Sequence, residues 1–309
     1  MIRTLTLNPA LDKTVVIPRF QTDTVNRITS VRLDPGGKGI NVSKVLKKMG
    51  CSSRATALLG GSSGRMILEM LRQQGIDVDC VNVQGQTRTN LKVIDPILKT
   101  NTDINEPGLV LTGEQSKNVF THFTSQLNPG DIVVLAGSVP AGVAENIYAD
   151  YIMACHKAGA KPFLDADGKL FAEGIRAKPY LVKPNQDELG RFVGSPLRSL
   201  AEVKEAAAVL IENGINKVVV SLGAEGALYM TKEMCLYAPA LSVPVCSTVG
   251  AGDSIVAALA LAEEQGLSPQ RALRLAVATG AANVMCSGTQ AADSQQIEVL
   301  LPRVQCKKL

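Results

Sequence analysis

Apolar positions near the start of the chain recur at every second residue. Ile2–Leu7 alternates, and Thr14–Ile17 and Arg27–Leu33 are short β-prone runs. From Gly36 the period lengthens: Val42, Val45, Leu46 and Met49 share one helical face, and Gly50 follows as a stop. Residues 65–74 repeat that plan, with Ile67, Leu68 and Leu71 inward and Gly75 closing. Arg88–Ile94 predicts another strand of the early β material.

Beyond that point strand and helix alternate. Thr112-Gly113-Glu114-Gln115 is a capping box for a helix to about Gln126, Asp131–Ala136 is a continuous apolar strand, and a helix follows over about Ala144–Lys157. Strands are expected at Pro162–Leu164, Tyr180–Val182 and Lys217–Ser221, with a helix from Ser199 to Gly214 between the last two. Ala227–Met230 and Met234–Tyr237 predict an antiparallel hairpin. Helices are expected over Gly252–Gln265, Pro269–Cys286 behind a Ser268 cap, and Asp293–Leu301. Buried strands alternating with amphipathic helices imply an α/β fold, a mostly parallel sheet covered on both faces. The strands within about 12–35 and 88–98 fall outside that alternation and are expected to form a small β lid on one domain spanning residues 1–309. Ligands on such sheets bind beyond the carboxyl ends of the strands, where the glycine clusters are expected to fall.

Composition narrows the chemistry. The 309 residues are 46% hydrophobic and 19% charged, which excludes a disordered chain. A net charge of +4 is too slight to argue for nucleic acid or a membrane surface. The longest apolar run, Ile255–Ala262, is far short of the roughly 20 residues of a membrane span. Seven cysteines, odd in number and without a C-x-x-C pair, suggest reduced thiols and a cytoplasmic protein. The two histidines, His122 and His156, lie far apart, and beyond the single Cys155 before His156 neither has an adjoining acid or cysteine, so a histidine base or histidine-rich metal site is not expected.

Four clusters hold ten of the 27 glycines: Gly36, Gly37, Gly39; Gly60, Gly61, Gly64; Gly223, Gly226; and Gly250, Gly252. Neither G-x-G-x-x-G nor the phosphate-loop pattern occurs. Thr248-Val249-Gly250-Ala251-Gly252-Asp253 turns into a helix whose first N–H groups lack partners, a ready place for a phosphate with a carboxylate beside it. Alone, Asp253 is equally an acid complementing the helix dipole. Gly36-Gly37-Lys38-Gly39-Ile40-Asn41 lets backbone approach a ligand, with a cation and an amide at hand, or is a plain β-to-helix turn. In Lys183-Pro184-Asn185-Gln186-Asp187-Glu188, Asn185 and Glu188 share a face and could hold water on magnesium, or merely start a helix. Ser221-Leu222-Gly223-Ala224-Glu225-Gly226 could pass under a nucleotide, or be a hairpin turn.

Together and in this order, these motifs resemble the ribokinase-like carbohydrate kinases, the PfkB family, over essentially the whole chain. Ser247-Thr248-Val249-Gly250-Ala251-Gly252-Asp253, continuing to Ala260, fits that family's C-terminal signature, and Gly36–Asn41 fits its N-terminal glycine-rich element. The resemblance implies a three-layer α/β/α domain with a β lid. It implies Asp253 as catalytic base and Gly250, Ala251 and Gly252 as anion hole. Ser221, Leu222, Gly223, Ala224, Glu225 and Gly226, with Lys183, Asn185, Thr248 and Asn283, are implied at ATP. Asn185 and Glu188 are implied at Mg2+, and Asp12, Gly37 and Asn41 at sugar hydroxyls. It also raises a monovalent cation, K+, held by residues 247–249 and 283–288.

Within the family, Thr6–Asp12, Lys38 inside its glycine run, Thr87–Asn90, Asn105–Gly108 and Ala136–Pro140 resemble the 1-phosphofructokinases and tagatose-6-phosphate kinases. The implied reaction is ATP-dependent phosphorylation of a ketohexose phosphate, fructose 1-phosphate first. Tagatose 6-phosphate, then fructose 6-phosphate, are alternative acceptors, and a non-catalytic sugar-phosphate sensor is the alternative of another class. Lys38, Arg88 and Arg27 are expected to converge on the existing phosphate, with Ser138 and Asn90 nearby. Open lid edges and apolar residues such as Val15 and Ile17 are expected to pair in a homodimer.

Overall fold

The structure, a computed structural model, describes residues 1–286 and 290–309. Its first strands are β1 (Ile2–Thr6), β2 (Ala10–Val16), β3 (Ser30–Gly36), β4 (Ser53–Leu59), β5 (Asp77–Asn82), β6 (Arg88–Asp95) and β7 (Thr100–Asn105). Two helices interrupt them, α1 (Lys38–Lys48) and α2 (Gly61–Gln73). Next come α3 (Gly113–Thr124), β8 (Ile132–Ala136), α4 (Ile147–Lys157), β9 (Lys161–Asp165), α5 (Gly168–Arg176), β10 (Leu181–Val182), α6 (Gln186–Val193), α7 (Leu200–Glu212) and β11 (Lys217–Ser221). The chain continues through β12 (Ala227–Met230), β13 (Cys235–Ala238), α8 (Ala251–Glu264), α9 (Pro269–Val284), α10 (Ser294–Leu300) and β14 (Lys307–Lys308).

Every element predicted from the hydrophobic pattern has a counterpart, and Thr112 caps α3 in a reciprocal box with Gln115, as expected. The pattern misses β4, β5, β7, α5 and β14. The strand expected at Arg27–Leu33 begins three residues later and runs on to Gly36.

Ten strands form one sheet in the order β14-β13-β12-β11-β10-β9-β8-β1-β4-β5, parallel from β5 to β11 and antiparallel from β11 to β14. Side chains of a strand alternate between its two faces. Along β8, Ile132, Val134 and Ala136 join one core with Val42 of α1, Ala258 of α8 and Leu273 of α9. Val133 and Leu135 join the opposite core with Tyr148 and Ile152 of α4 and Ala207 of α7. Each such buried aliphatic side chain contributes about 1.5–3 kcal/mol relative to exposure. The three-layer arrangement follows from that double burial.

The second sheet has the order β3-β2-β6-β7 and carries its own small core. Here the expectation for Val15 and Ile17 is corrected: both are buried, packed with Val93. The exposed large apolar residues of this region are Val25, Ile28, Val31, Ile97, Leu98 and Ile104. The register pairs Asp12 with Asn90 and Ala10 with Arg88, so β2 and β6 carry these polar side chains together to the carboxyl edge of the large sheet.

Among the described residues, no helix is long and apolar enough to cross a membrane.

Candidate active site

Two cavities meet at the carboxyl edge of the sheet. One, of about 710 Å³, is polar and is lined by Asp12, Lys38, Asn41, Arg88, Asp165 and Asp253 among others. The other, of about 640 Å³, has largely apolar walls, including Ala224, Leu241, Val243, Ile255, Val277 and Val284. Asn185, Ser221 and Gly252 line both, so the boundary lies at the N-terminus of α8.

That terminus is built by glycine. Gly250 caps α8 at φ +81°, a left-handed conformation that side chains resist. The first N–H groups of α8 have no partner within the helix and give it a positive end. Asn283 is buried, and its Nδ2 donates to the Val249 carbonyl at 3.2 Å, which ties the turn to α9. Asn283 lines neither cavity, so it supports the loop from behind rather than facing a nucleotide.

Asp253 sits in the first turn of α8, 7% exposed, and faces the polar cavity. Its Oδ2 accepts a 2.8 Å bond from Asn41 Nδ2. Burial, and then the nearby Asp165 charge, push its carboxyl up to about 6, against the pull of Lys38, Asn41 and Lys183. A carboxyl of this kind ionises just below neutral pH and can accept a proton there. A mere complement to the helix dipole would face water.

Asn41 thus has a part beyond the one expected of it. Its amide holds Asp253, and its buried Oδ1 has no protein partner. Thr6 Oγ1, Asn8 Oδ1, Asn90 Oδ1 and Asp165 Oδ2 share that condition and the same cavity. Buried polar atoms are normally paired, so five unpaired oxygens in one cleft mark a place for a hydroxyl-rich ligand. Asp12 accepts from Asn90 Nδ2 at 3.0 Å, and burial raises its carboxyl. A Cβ on Gly36 would stand 2.1 Å from Asp12 Oδ2, so glycine there makes room for the acid.

The cations expected to grip one phosphate separate into three cases. Arg88 donates to the Asn8 carbonyl at 3.0 Å, and Asn8 Nδ2 donates to Ser138 Oγ at 3.2 Å, so these three form one linked group in the cleft. Lys38 is the first residue of α1, and its Nζ donates to Asp165 at 3.1 Å. Arg27 is exposed in the connection between β2 and β3 and does not line the cleft within this chain.

Three other expectations change. Asn185 and Glu188 close a reciprocal capping box, each side chain accepting from the other's backbone N–H at 2.8 Å, so the helix-start reading describes them directly. Ser221, Gly223, Ala224 and Gly226 line the apolar cavity, but Leu222 points into the core and Glu225 lies outside the lining. Gly60, Gly61 and Gly64 border neither cavity: the Gly60 carbonyl accepts from the Thr87 backbone N–H, the Gly60 N–H donates to Thr87 Oγ1, and α2 begins at Gly61. Gly37, at φ +117° before α1, lines the polar cavity as expected, and Thr248 and Ala251 line the apolar one. Ser287 and Gly288, part of the expected cation loop, lie outside the described residues.

Among the residues that escaped the sequence reading are two acids of the polar cavity. Asp165 ends β9 and Asp167 follows it, both lining the polar cavity. The available signal was an acid ending a buried strand, Phe163-Leu164-Asp165, at the edge where ligands bind.

Comparison with known proteins agrees with this architecture. The profile described as "pfkB family carbohydrate kinase" matches residues 5–296. The 1-phosphofructokinase of Rhodobacter capsulatus is 38% identical over 278 residues, covering 90% of this chain and 88% of that protein. That of Bacillus subtilis is 36% identical over 313 residues and covers all of both chains. Among solved structures, phosphofructokinase-2 from Escherichia coli in complex with potassium superposes with a TM-score of 0.94 at 31% identity, covering 98% of each chain.

Proposed function

Because the chain belongs to the pfkB family of carbohydrate kinases, and is thus a sugar-phosphate kinase, we propose that it transfers the γ-phosphoryl group of ATP to fructose 1-phosphate, giving fructose 1,6-bisphosphate and ADP. One observation carries the reading: a polar and an apolar cavity meet at a glycine-capped helix start, with a buried carboxyl of raised pKa on the polar side. The apolar cavity suits an adenine nucleotide, with Gly223, Ala224 and Gly226 letting backbone come close. The polar cavity suits the ketohexose phosphate.

Asp253 takes the proton of the acceptor hydroxyl as the phosphoryl group arrives in line. The N–H groups at Gly250–Gly252 face the transferring oxygens, with fixed dipoles that need no reorganisation. Arg88, with Asn8 and Ser138, takes the phosphate already on the sugar. Asp12, Asn90 and Asn41 Oδ1 receive ring hydroxyls. Lys38 and Lys183 belong to the transfer end instead.

Magnesium enters with the nucleotide as substrate. Among the described residues no cluster of three His, Cys, Asp or Glu could hold a metal. Glu188 Oε2 is engaged in the capping box, and Oε1 remains to accept from metal-bound water. For potassium the described loop offers less: the Val249 and Val284 carbonyls accept from Asn283 and from Cys246 and Ser247. We place the enzyme in the cytoplasm, in keeping with its seven free thiols, as a homodimer joined through the four-stranded sheet.

The test is ADP release with fructose 1-phosphate, tagatose 6-phosphate, fructose 6-phosphate and free fructose. Fructose 1-phosphate should turn over fastest. Fastest turnover on either 6-phosphate would replace the acceptor and keep the kinase. Preference for free fructose would remove the phosphate-binding role of Arg88, and no turnover on any of them would favour a sensor.

A further inference from the structure

Asp165 is a cleft carboxylate with two lysine ammonium groups within ion-pair distance of one oxygen. It ends β9, is 2% exposed, and its Oδ1 lies 3.1 Å from Lys38 Nζ and 3.6 Å from Lys183 Nζ. The lysines come from separate elements. Lys38 opens α1, whereas Lys183 follows β10, the strand beside β9, and its backbone N–H bonds the Leu164 carbonyl at 3.2 Å. The place where they are held is also defined. A Cβ on Gly252 would stand 3.4 Å from Lys183 Nζ, so that ammonium lies directly over the first turn of α8.

We infer that Asp165 is a positioning residue for phosphoryl transfer, clamping the Lys38 and Lys183 ammonium groups at the helix start where the transferring group carries its negative charge. The inference rests on the kinase reading above and adds to it a residue whose work is done through two others. Lysine is a point charge on a flexible stem and does not by itself stand at a fixed place. Transition-state stabilisation by charge depends on the charges being placed before the reaction begins. A buried carboxylate on the end of a central strand supplies such an anchor. It also leaves Oδ2 without a protein partner, facing the cleft.

The same arrangement reaches Asp253. The charged groups facing Asp253 are Lys38 and Lys44 from α1, Asp165 from β9 and Lys183 from β10, with the neutral Asn41 bonded to it. Glu188 of α6 acts on Lys38. Removing the Asp165 charge takes away the only acid in that set and leaves the cations, so Asp253 should ionise at lower pH.

The experiment compares the full-length chain with Asp165→Asn and Asp165→Glu. Asp165→Asn is expected to lower kcat at least 100-fold and move the acid limb of kcat/KM down by about one pH unit. Asp165→Glu keeps the charge and displaces it by a methylene, so it should lose kcat with the acid limb near its original place. A readout independent of turnover is the labelling of Lys38 and Lys183 by an amine-reactive reagent, followed by peptide mass spectrometry. Both amines should react several-fold faster in folded Asp165→Asn, because neither is then held against a buried carboxylate. An unmoved acid limb in Asp165→Asn, or unchanged labelling of both lysines, overturns the clamp. A wild-type chain that phosphorylates no ketohexose phosphate fails the kinase reading instead, while the labelling still decides the clamp.

Discussion

At the scale of single residues, the cost of a buried acid and its use are the same fact. Asp253 has a folded pKa of about 6 against 3.8 for an ordinary aspartate, with burial the main cause. Its protonated form favours the fold. That contribution is complete below 3.8 and lost as pH rises through about 6. Above that pH the charged carboxylate costs on the order of 3 kcal/mol. Two measurements follow from one titration. The wild-type kcat/KM should be flat above about pH 7 and fall roughly tenfold per pH unit below 6. In thermal melts Asp253→Asn should be more stable than wild type at pH 8, with the gain gone at pH 4. A rate that stays constant down to pH 4.5 would contradict the assignment of the base. Asp253 itself was legible because helix-start signals are local. Asp165 was not, because its meaning comes from Lys38, 127 residues away in sequence.

At the scale of elements, the predicted strands were those with strong apolar runs or alternation. Thr100–Asn105 reads TNTDIN, with one apolar residue, and becomes a strand only because β6 offers it an edge. Asp77–Asn82 is likewise an edge strand, mostly half-buried, and α5 carries glycine at Gly168 and Gly174, which weakens its helical signal. The lid was legible as extra β material, but not its inner and outer faces. Val15 and Ile17 turn inward, and the surface left open carries Val31 at 54% and Ile104 at 51% exposure. Such residues on a small sheet are an association surface. Light scattering should therefore give twice the 32.6 kDa chain mass, and Val31→Asp together with Ile104→Asp should give the monomer. A wild-type monomer at micromolar concentration would remove the dimer from the account.

At the scale of the whole molecule, the parallel sheet does one thing for function: it brings the ends of β1, β8, β9, β10 and β11 to a single edge. Thr6, Ser138, Asp165, Lys183 and Ser221 line the polar cavity there, although 215 positions separate the first from the last. The second sheet adds Asp12, Arg88 and Asn90 from above that edge, and α8 closes the far side. Two substrates of different polarity thus reach one helix start from two cavities. The most direct test is Asp253→Asn, measured for turnover with fructose 1-phosphate and for ATP binding by titration calorimetry. Turnover should fall by at least 1,000-fold with ATP affinity within about threefold of wild type, since the apolar cavity is untouched. Turnover within tenfold of wild type would show that the proton goes elsewhere, and the mechanism centred on Asp253 would fall.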